Sequence, residues 1–474
     1  MIKKIYENKK EFFLTFIVFS IHLLFLKFNP VNFEFTFSEG AKYFVNFEKK
    51  VIEDFFFNQA NTFVFSLLIG IFDKVFFIND TLVAARILSA LSYFLLAIGF
   101  INIFHIFNIK FNLLLFLILF FLNPLIWTYG HRGIPDLLAT SIAFYSCSSI
   151  LLYKSKKKFK NFFSFVILGL AICLKPFCLI YLFLIFVLEY KQNLISYIRK
   201  YFILFLSALF LPLIYFLLIK INFDFFLIPP KFNSEVSFLK GGFFNNFFGY
   251  FIFLSVFILP FSFKLKFVNK FNILVILFLI LPLSFYFHYL TNSPSTELNF
   301  GFLSKILDVR LIFFFAFSSL FLLILYIKDN FNINYEFLIV VFVYIFVLSL
   351  TRSSQRYLIP ILPIMFLFFL VNKENFEKKI FFYLICIGYF FINIFISINF
   401  YLNSSINKEI INYLIKKNII EETLPGALYA HSYHYFLSQK NKKYIISSEP
   451  NDHLRSFERK FFVINKRYYL NKIN

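Results

Sequence analysis

Apolar runs the length of a membrane span recur along most of this chain, and they limit its fold more than any other feature. Segments such as Phe12–Phe28, Thr81–Phe107, Leu137–Tyr153 and Ile380–Tyr401 carry few charges over about 20 residues, which is what a helix needs to cross the hydrocarbon core. Charged residues make up 15% of the chain, against about 25% in a soluble domain. The expectation is an all-α polytopic membrane protein.

Two compositional features carry less than they suggest. The 83 Phe residues rise together with Lys, Ile and Asn, as in a genome biased toward A and T. Phe stripes are therefore packing or lipid-facing surface, not an aromatic binding box. The net charge of +22 is partly an orientation signal, because Lys and Arg collect in cytoplasmic loops. No basic soluble domain of any size is present, so a nucleic-acid partner is not expected. The four cysteines, Cys147, Cys173, Cys178 and Cys386, fall in or beside apolar runs and form neither a disulfide framework nor a CxxC metal site.

A lysine-rich start places the N-terminus in the cytoplasm, and the absence of a small-residue cleavage site makes the first run a retained span. The stretch Asn32–Asn61 then lies outside as an acidic loop holding Glu34, Glu39, Glu48, Glu53 and Asp54. The most basic short loop, Lys154–Lys160 (KSKKKFK), belongs in the cytoplasm. Counting back from it leaves Thr62–Phe77 unable to span. That run is short and interrupted by Asp73 and Lys74, so it is expected to lie on the outer surface as a juxtamembrane helix. Phe111–Trp127 is read as one of about thirteen spans, with the C-terminus outside. Residues 1–402 form the membrane domain, with 29–79 as its first outer loop. Residues 403–474 form a small α/β domain on the outer face, with KYIISS and KFFVIN as its strands.

Ionisable residues at membrane depth or on the wrong side of the membrane are the functional candidates. Glu39, in FSEGAKYF, could serve as general base for an acceptor hydroxyl or as a metal ligand; a solvated loop acid would look the same. Glu53 and Asp54 precede the surface helix, where acids also simply favour the helix dipole. Arg132 and Asp136 are one helical turn apart in HRGIPDLLAT. They either pair at a span entrance or place Arg132 on a phosphate and Asp136 toward a cavity. His131 reads as an interfacial residue. Lys175, in CLKPFC, stands where a helix must break at Pro176 and can bind an anion or snorkel. Arg352, Arg356 and Tyr357, in TRSSQRYLIPILP, form an outside cationic cluster against the positive-inside trend, which suits an anionic ligand such as phosphate. Arg86, in AARILSAL, sits at the outer end of its span, where a structural role is preferred over a functional one. No GxGxxG, Walker loop or HExxH occurs.

Taken in order, these segments resemble the GT-C superfamily of membrane glycosyltransferases, in the branch of the protein O-mannosyltransferases and the lipid A aminoarabinose transferases. The resemblance rests on SEGAKYF, IFDKVFFINDTLVAARILSAL, NPLIWTYGHRGIPDLLATSIAF with LGLAICLKP, and QRYLIPILP. It departs from the family in that FFFNQANTF stands where a Pro-Pro pair is usual, and the Asp-Glu pair is reduced to Ser38-Glu39. The resemblance implies transfer of a sugar from a polyprenyl-phosphate donor to a lipid, glycan or protein acceptor at the outer face of the cytoplasmic membrane. Glu39 would act as the base, and Lys175, Arg352, Arg356 and Tyr357 would hold the donor phosphate. Arg132, Asp136, Arg86, Glu53 and Asp54 would line the cavity. Some relatives use a divalent metal and others do not; Glu39 with Asp136 could hold one. The competing readings are a flippase or transporter of lipid-linked saccharides, which calls for mid-span charges and inverted repeats, and a ligase, which calls for a large late outer loop.

Overall fold

The computed structural model describes residues 7–28, 34–45, 63–153, 158–189, 194–223, 243–258, 270–284, 309–329, 335–350, 355–371, 379–419, 422–424, 443–447, 450–461 and 464–472. They are mostly helical, with one small sheet near the C-terminus. The helices run α1 Lys9–Leu23, α2 Glu34–Val45, α3 Phe63–Phe76, α4 Thr81–Ile106, α5 Leu113–Phe121, α6 Pro124–Gly130, α7 Pro135–Tyr153 and α8 Lys158–Leu174. A 3₁₀ turn at Pro176–Leu179 leads into α9 Ile180–Glu189, followed by α10 Leu194–Phe223, α11 Phe243–Phe257 and α12 Lys270–Val275, which continues through a π turn. Then come α13 Val309–Asp329, α14 Tyr335–Ser349, a 3₁₀ stretch Gln355–Ile361, α15 Leu362–Val371 and α16 Lys379–Lys416.

Among the described residues, four helices are long and apolar enough to cross a membrane: α4, α7, most of α10 and the part of α16 from Cys386. The bent pair α5–α6 makes a fifth if it is one span. Further apolar helices, including α8, α11, α13 and α14, are shorter. Burial sorts the long ones. The apolar windows of α4 and α7 are 67% and 78% buried, so they form the centre of the bundle. Those of α10 and α16 are 33% and 28% buried, and α10 turns Phe202, Ile203, Leu206, Phe210 and Leu213 outward. An apolar helix exposed to that degree suits hydrocarbon, where its backbone is already satisfied within the helix. The centre is tight: a Cβ at Gly99 of α4 would come within 2.7 Å of the Phe144 ring of α7.

Several local expectations change. Residues 34–45 are a helix rather than a loop, and Glu34 in its first turn is fully buried. The run Phe111–Trp127 is not straight. It breaks between α5 and α6 with a 70° bend. Pro124 cannot donate to the preceding turn and starts the new helix at its first position, with the Asn123 side chain capping Leu125 N–H. The carbonyl of Leu122 freed at the break accepts from Asn393 of α16 at 2.8 Å, and Asn123 donates to Phe257 O at 2.8 Å. The stretch from Thr62 forms α3, whose 14 residues reach only about 21 Å. It packs on α2 and α4 through the buried Phe65 and Ile69. Asp80 caps α4, its carboxylate accepting from Leu82 and Val83 N–H at 2.9 and 3.1 Å.

Helix α16 is continuous through residues 402 and 403, so the boundary placed there falls inside it. Its last turns carry the sheet. Strands β1 Thr423–Leu424, β2 Tyr444–Ser447, β3 His453–Phe461 and β4 Ile464–Lys472 lie in the order β1-β2-β4-β3. Ile406, Ile410 and Leu414 of α16 pack against Ile446, Phe457 and Leu470 of the sheet. KYIISS supplies β2. KFFVIN is divided between two strands: Lys460 and Phe461 end β3, Ile464 and Asn465 begin β4, Phe461 pairs with Ile464, and residues 462 and 463 lie outside the described residues.

Candidate functional site

Four chain segments converge beside the start of α7. Asp136 is the second residue of α7, after Pro135, so its carboxylate lies in the first turn, where the helix dipole favours a negative charge. Lys175 occupies the break between α8 and the 3₁₀ turn Pro176–Leu179, with extended backbone at φ −151° and ψ 107°. The break comes from Pro176, which disfavours a helical residue before it. Its Nζ lies 2.8 Å from Asp136 Oδ1, with the two side chains 15% and 3% exposed. The same ammonium stands 5.2 Å from the centroid of the Tyr357 ring and 6.0 Å from that of Phe177. Arg356 flanks Tyr357 too, its guanidinium carbon 5.2 Å from the ring centroid and Nη2 3.4 Å from the phenol oxygen. Arg356 is near enough to Asp136 and Tyr129 for their charges to act on it. Tyr129, on α6, carries Arg132 over its ring at 5.7 Å.

The 3₁₀ stretch that presents Arg356 and Tyr357 is held from below. Tyr181 of α9 donates to Pro360 O at 2.7 Å, and Tyr344 of α14 donates to Tyr357 O at 2.5 Å. Tyr181 is fully buried and Tyr344 nearly so. These bonds fix the backbone, so the cation and phenol are placed by the bundle and not by their own flexible chains. Counting formal charge, Lys175, Arg356 and Arg132 face one described carboxylate, Asp136. Cations and an aromatic ring side by side suit an anion attached to an apolar body.

Asp136, Lys175, Arg356, Tyr357 and, through Tyr129, Arg132 are thus brought together. Arg86 does not join them. It is fully buried and makes a two-pronged ion pair with Glu34, Nε to Oε1 at 3.2 Å and Nη2 to Oε2 at 2.9 Å. Its Nη1 donates to the carbonyls of Phe25, Leu26 and Phe28 at 2.7, 3.1 and 2.6 Å. These contacts engage the guanidinium with protein groups on several sides. His131 is also displaced from expectation. It is buried, not interfacial, with its ring 4.5 Å from Phe25, 4.8 Å from Phe400 and 5.5 Å from His22. Glu39 lies on α2, and its side chain is outside the described set. Glu53, Asp54 and Arg352 lie outside the described residues.

Sequence reasoning passed over Glu34, Tyr129 and Phe177. Tyr129 and Phe177 stand three and two residues from chosen cations, so a search for rings beside those cations would have found them. Glu34 has no local signal, because its partner is 52 residues away. Among the described residues no three of His, Cys, Asp and Glu are grouped as a metal ion would require.

No family model matches the chain, and no curated protein matches it. The structure is similar to the crystal structure of ArnT from Cupriavidus metallidurans in the apo state, with a TM-score of 0.44 and 12% sequence identity. That likeness covers 76% of this chain and 58% of the other. A likeness of that degree says nothing about activity.

Proposed function

We propose that this protein is a GT-C-type glycosyltransferase, moving a sugar from a polyprenyl-phosphate donor to an acceptor at the outer face of the cytoplasmic membrane. The observation that carries the reading is the meeting of Lys175, Arg356 and Tyr357 with Asp136, from segments up to 221 positions apart in the sequence (357 − 136). The resemblance of the local segments to the family adds to it. A lipid phosphate leaving group gathers negative charge as the glycosidic bond breaks. Lys175 and Arg356 are the groups that would stabilise it, preorganised by the tyrosine-held backbone. Asp136 keeps the Lys175 ammonium aimed. Arg352 is assigned to the same phosphate, and Arg132 to the edge of the cluster. Glu39 is assigned the acceptor proton, as general base. The acceptor, a cell-envelope glycan, lipid or protein, approaches from the outer side, and the polyprenyl chain lies against apolar helices.

In transporters, broken helices leave backbone groups free to bind cargo. Here the break between α5 and α6 is filled by Asn393 and Asn123, which does not favour the flippase reading.

The test is transfer of radiolabel from polyprenyl-phosphate sugars by purified protein in nanodiscs, with a membrane extract of the source cells as acceptor. Wild type should label a product, and Glu39→Gln should not while still binding donor. Arg356→Ala should weaken donor binding by about 10- to 100-fold, since losing one charged hydrogen-bond partner costs about 1.5–3 kcal/mol. Donor that binds and crosses the bilayer without any transfer would refute the enzyme and establish the flippase.

A further inference from the structure

We infer that Glu34 and Arg86 are positioning residues that hold α2, the helix carrying Glu39, in register with the turn that leads into the Asp136–Lys175 site. The activity arm of this inference rests on the transfer reading above; its structural arm does not.

Glu34 is the first residue of α2 and has no exposed surface. One carboxylate oxygen, Oε1, accepts from Arg86 Nε at 3.2 Å and from the backbone N–H of Gly133 at 2.9 Å. The other accepts from Arg86 Nη2 at 2.9 Å. Arg86 in turn gathers three carbonyls from the turn after α1. A single ion pair therefore ties four pieces together: the turn after the first helix, the start of α2, the second turn of α4 and the turn 131–134.

That turn is the short path to the candidate site. Arg132 precedes Gly133, and Asp136 lies three residues beyond it on the first turn of α7. The turn is pressed close to α4: a Cβ on Gly133 would lie 2.8 Å from the Ala85 Cβ. Only glycine fits there, so Gly133 N–H can reach Glu34 across the gap. His131, the first residue of the turn, stacks on the rings of His22 and Phe25. Lys175, Arg356 and Tyr357 are held by other elements, through Pro176, Tyr181 and Tyr344. Loss of the Glu34 anchor should therefore disturb α2 and the 131–134 turn more than the phosphate-facing cations. A misplacement of about 1 Å far from the reacting atoms can lower turnover about 100-fold.

The test compares wild type with Glu34→Gln, Glu34→Asp and the double variant Glu34→Leu/Arg86→Met in nanodiscs. The double variant removes both charges together and so leaves no lone buried charge, while the carbonyls of Phe25, Leu26 and Phe28 lose their donor; thermal unfolding checks that each variant is folded. Two readouts are taken: amide hydrogen exchange by segment, and transfer resolved into donor affinity and turnover. Glu34→Gln and the double variant should speed exchange at 36–45 and 131–136 but not at 176–189 or 355–371. Turnover should fall about 100-fold with donor affinity changed less than about threefold, and Glu34→Asp should recover part of it. Unchanged exchange in both segments, full turnover in the double variant, or equal loss of donor affinity and turnover would each overturn the inference. If wild type transfers nothing, the enzyme reading fails and the exchange pattern alone decides this one.

Discussion

Removing either partner of the Lys175–Asp136 pair deletes the same contact, yet the two losses should differ. In Lys175→Met the carboxylate of Asp136 stays behind in a site where only 3% of its side chain meets solvent. Breaking a buried pair in this way costs about 3–5 kcal/mol, and the attraction of Arg356 for the same carboxylate keeps the cost to the lower end. In Asp136→Asn the survivor is an ammonium on a flexible stem, 15% exposed, which can turn toward water. Its loss is worth about 1–2 kcal/mol. The double variant leaves two neutral groups and should cost about 2 kcal/mol, so the singles should exceed the double by about 2–3 kcal/mol in a double-mutant cycle. The assay is reversible unfolding in mixed micelles, followed by near-ultraviolet circular dichroism. Equal single losses, or additivity within about 0.5 kcal/mol, would refute the coupling. Donor affinity supplies an independent sign: Lys175→Met should lose it and Asp136→Asn should not.

Three further outcomes follow from particular contacts. Gly133→Ala should destabilise the protein by about 1–3 kcal/mol and reduce transfer, because the new methyl group meets the rigid Cβ of Ala85 at 2.8 Å; thermal unfolding and turnover check both. Asn123→Ala removes a helix cap and the donor to Phe257 O, and should lower stability by about 1–3 kcal/mol in the same unfolding assay. In the sheet, Glu458 accepts from Asn465 at 2.6 Å and from Arg467, which hold its carboxyl below the usual carboxylate range. A depressed folded-state value means the stabilisation is complete above about pH 4.3, the unfolded value, and is lost as the pH falls through the folded one. Protection factors in β3 and β4, taken against the intrinsic exchange rate at each pH, should therefore fall in acid, and Glu458→Gln should remove that dependence.

What the sequence determined by itself was whatever depends on neighbours along the chain. The helix Thr81–Ile106 was legible from its apolar length. The break at Lys175 was legible because Pro176 enforces it locally, and so was the strand in KYIISS. The same local signal was present at Asn123-Pro124, yet the run around it was read as one straight span, because its hydropathy does not fall at the bend. KFFVIN misled for a related reason: a run rich in β-formers looks like a strand even where it straddles a hairpin. The candidate cations stood out because Lys and Arg are scarce at those ends of apolar helices that the charge pattern assigns to the outer side. Tertiary structure alone decided their partners. Asp136 could have paired with Arg132 one turn away, but its described ion pair is with Lys175, 39 positions on (175 − 136). Glu34 looked like one acid among five in a polar loop, and became a buried anchor only because Arg86 and Gly133 close on it from distant segments. Hydropathy records how each residue prefers water or oil; which charges meet inside the bundle depends on how the helices pack, and that information is not held in any one stretch of the chain.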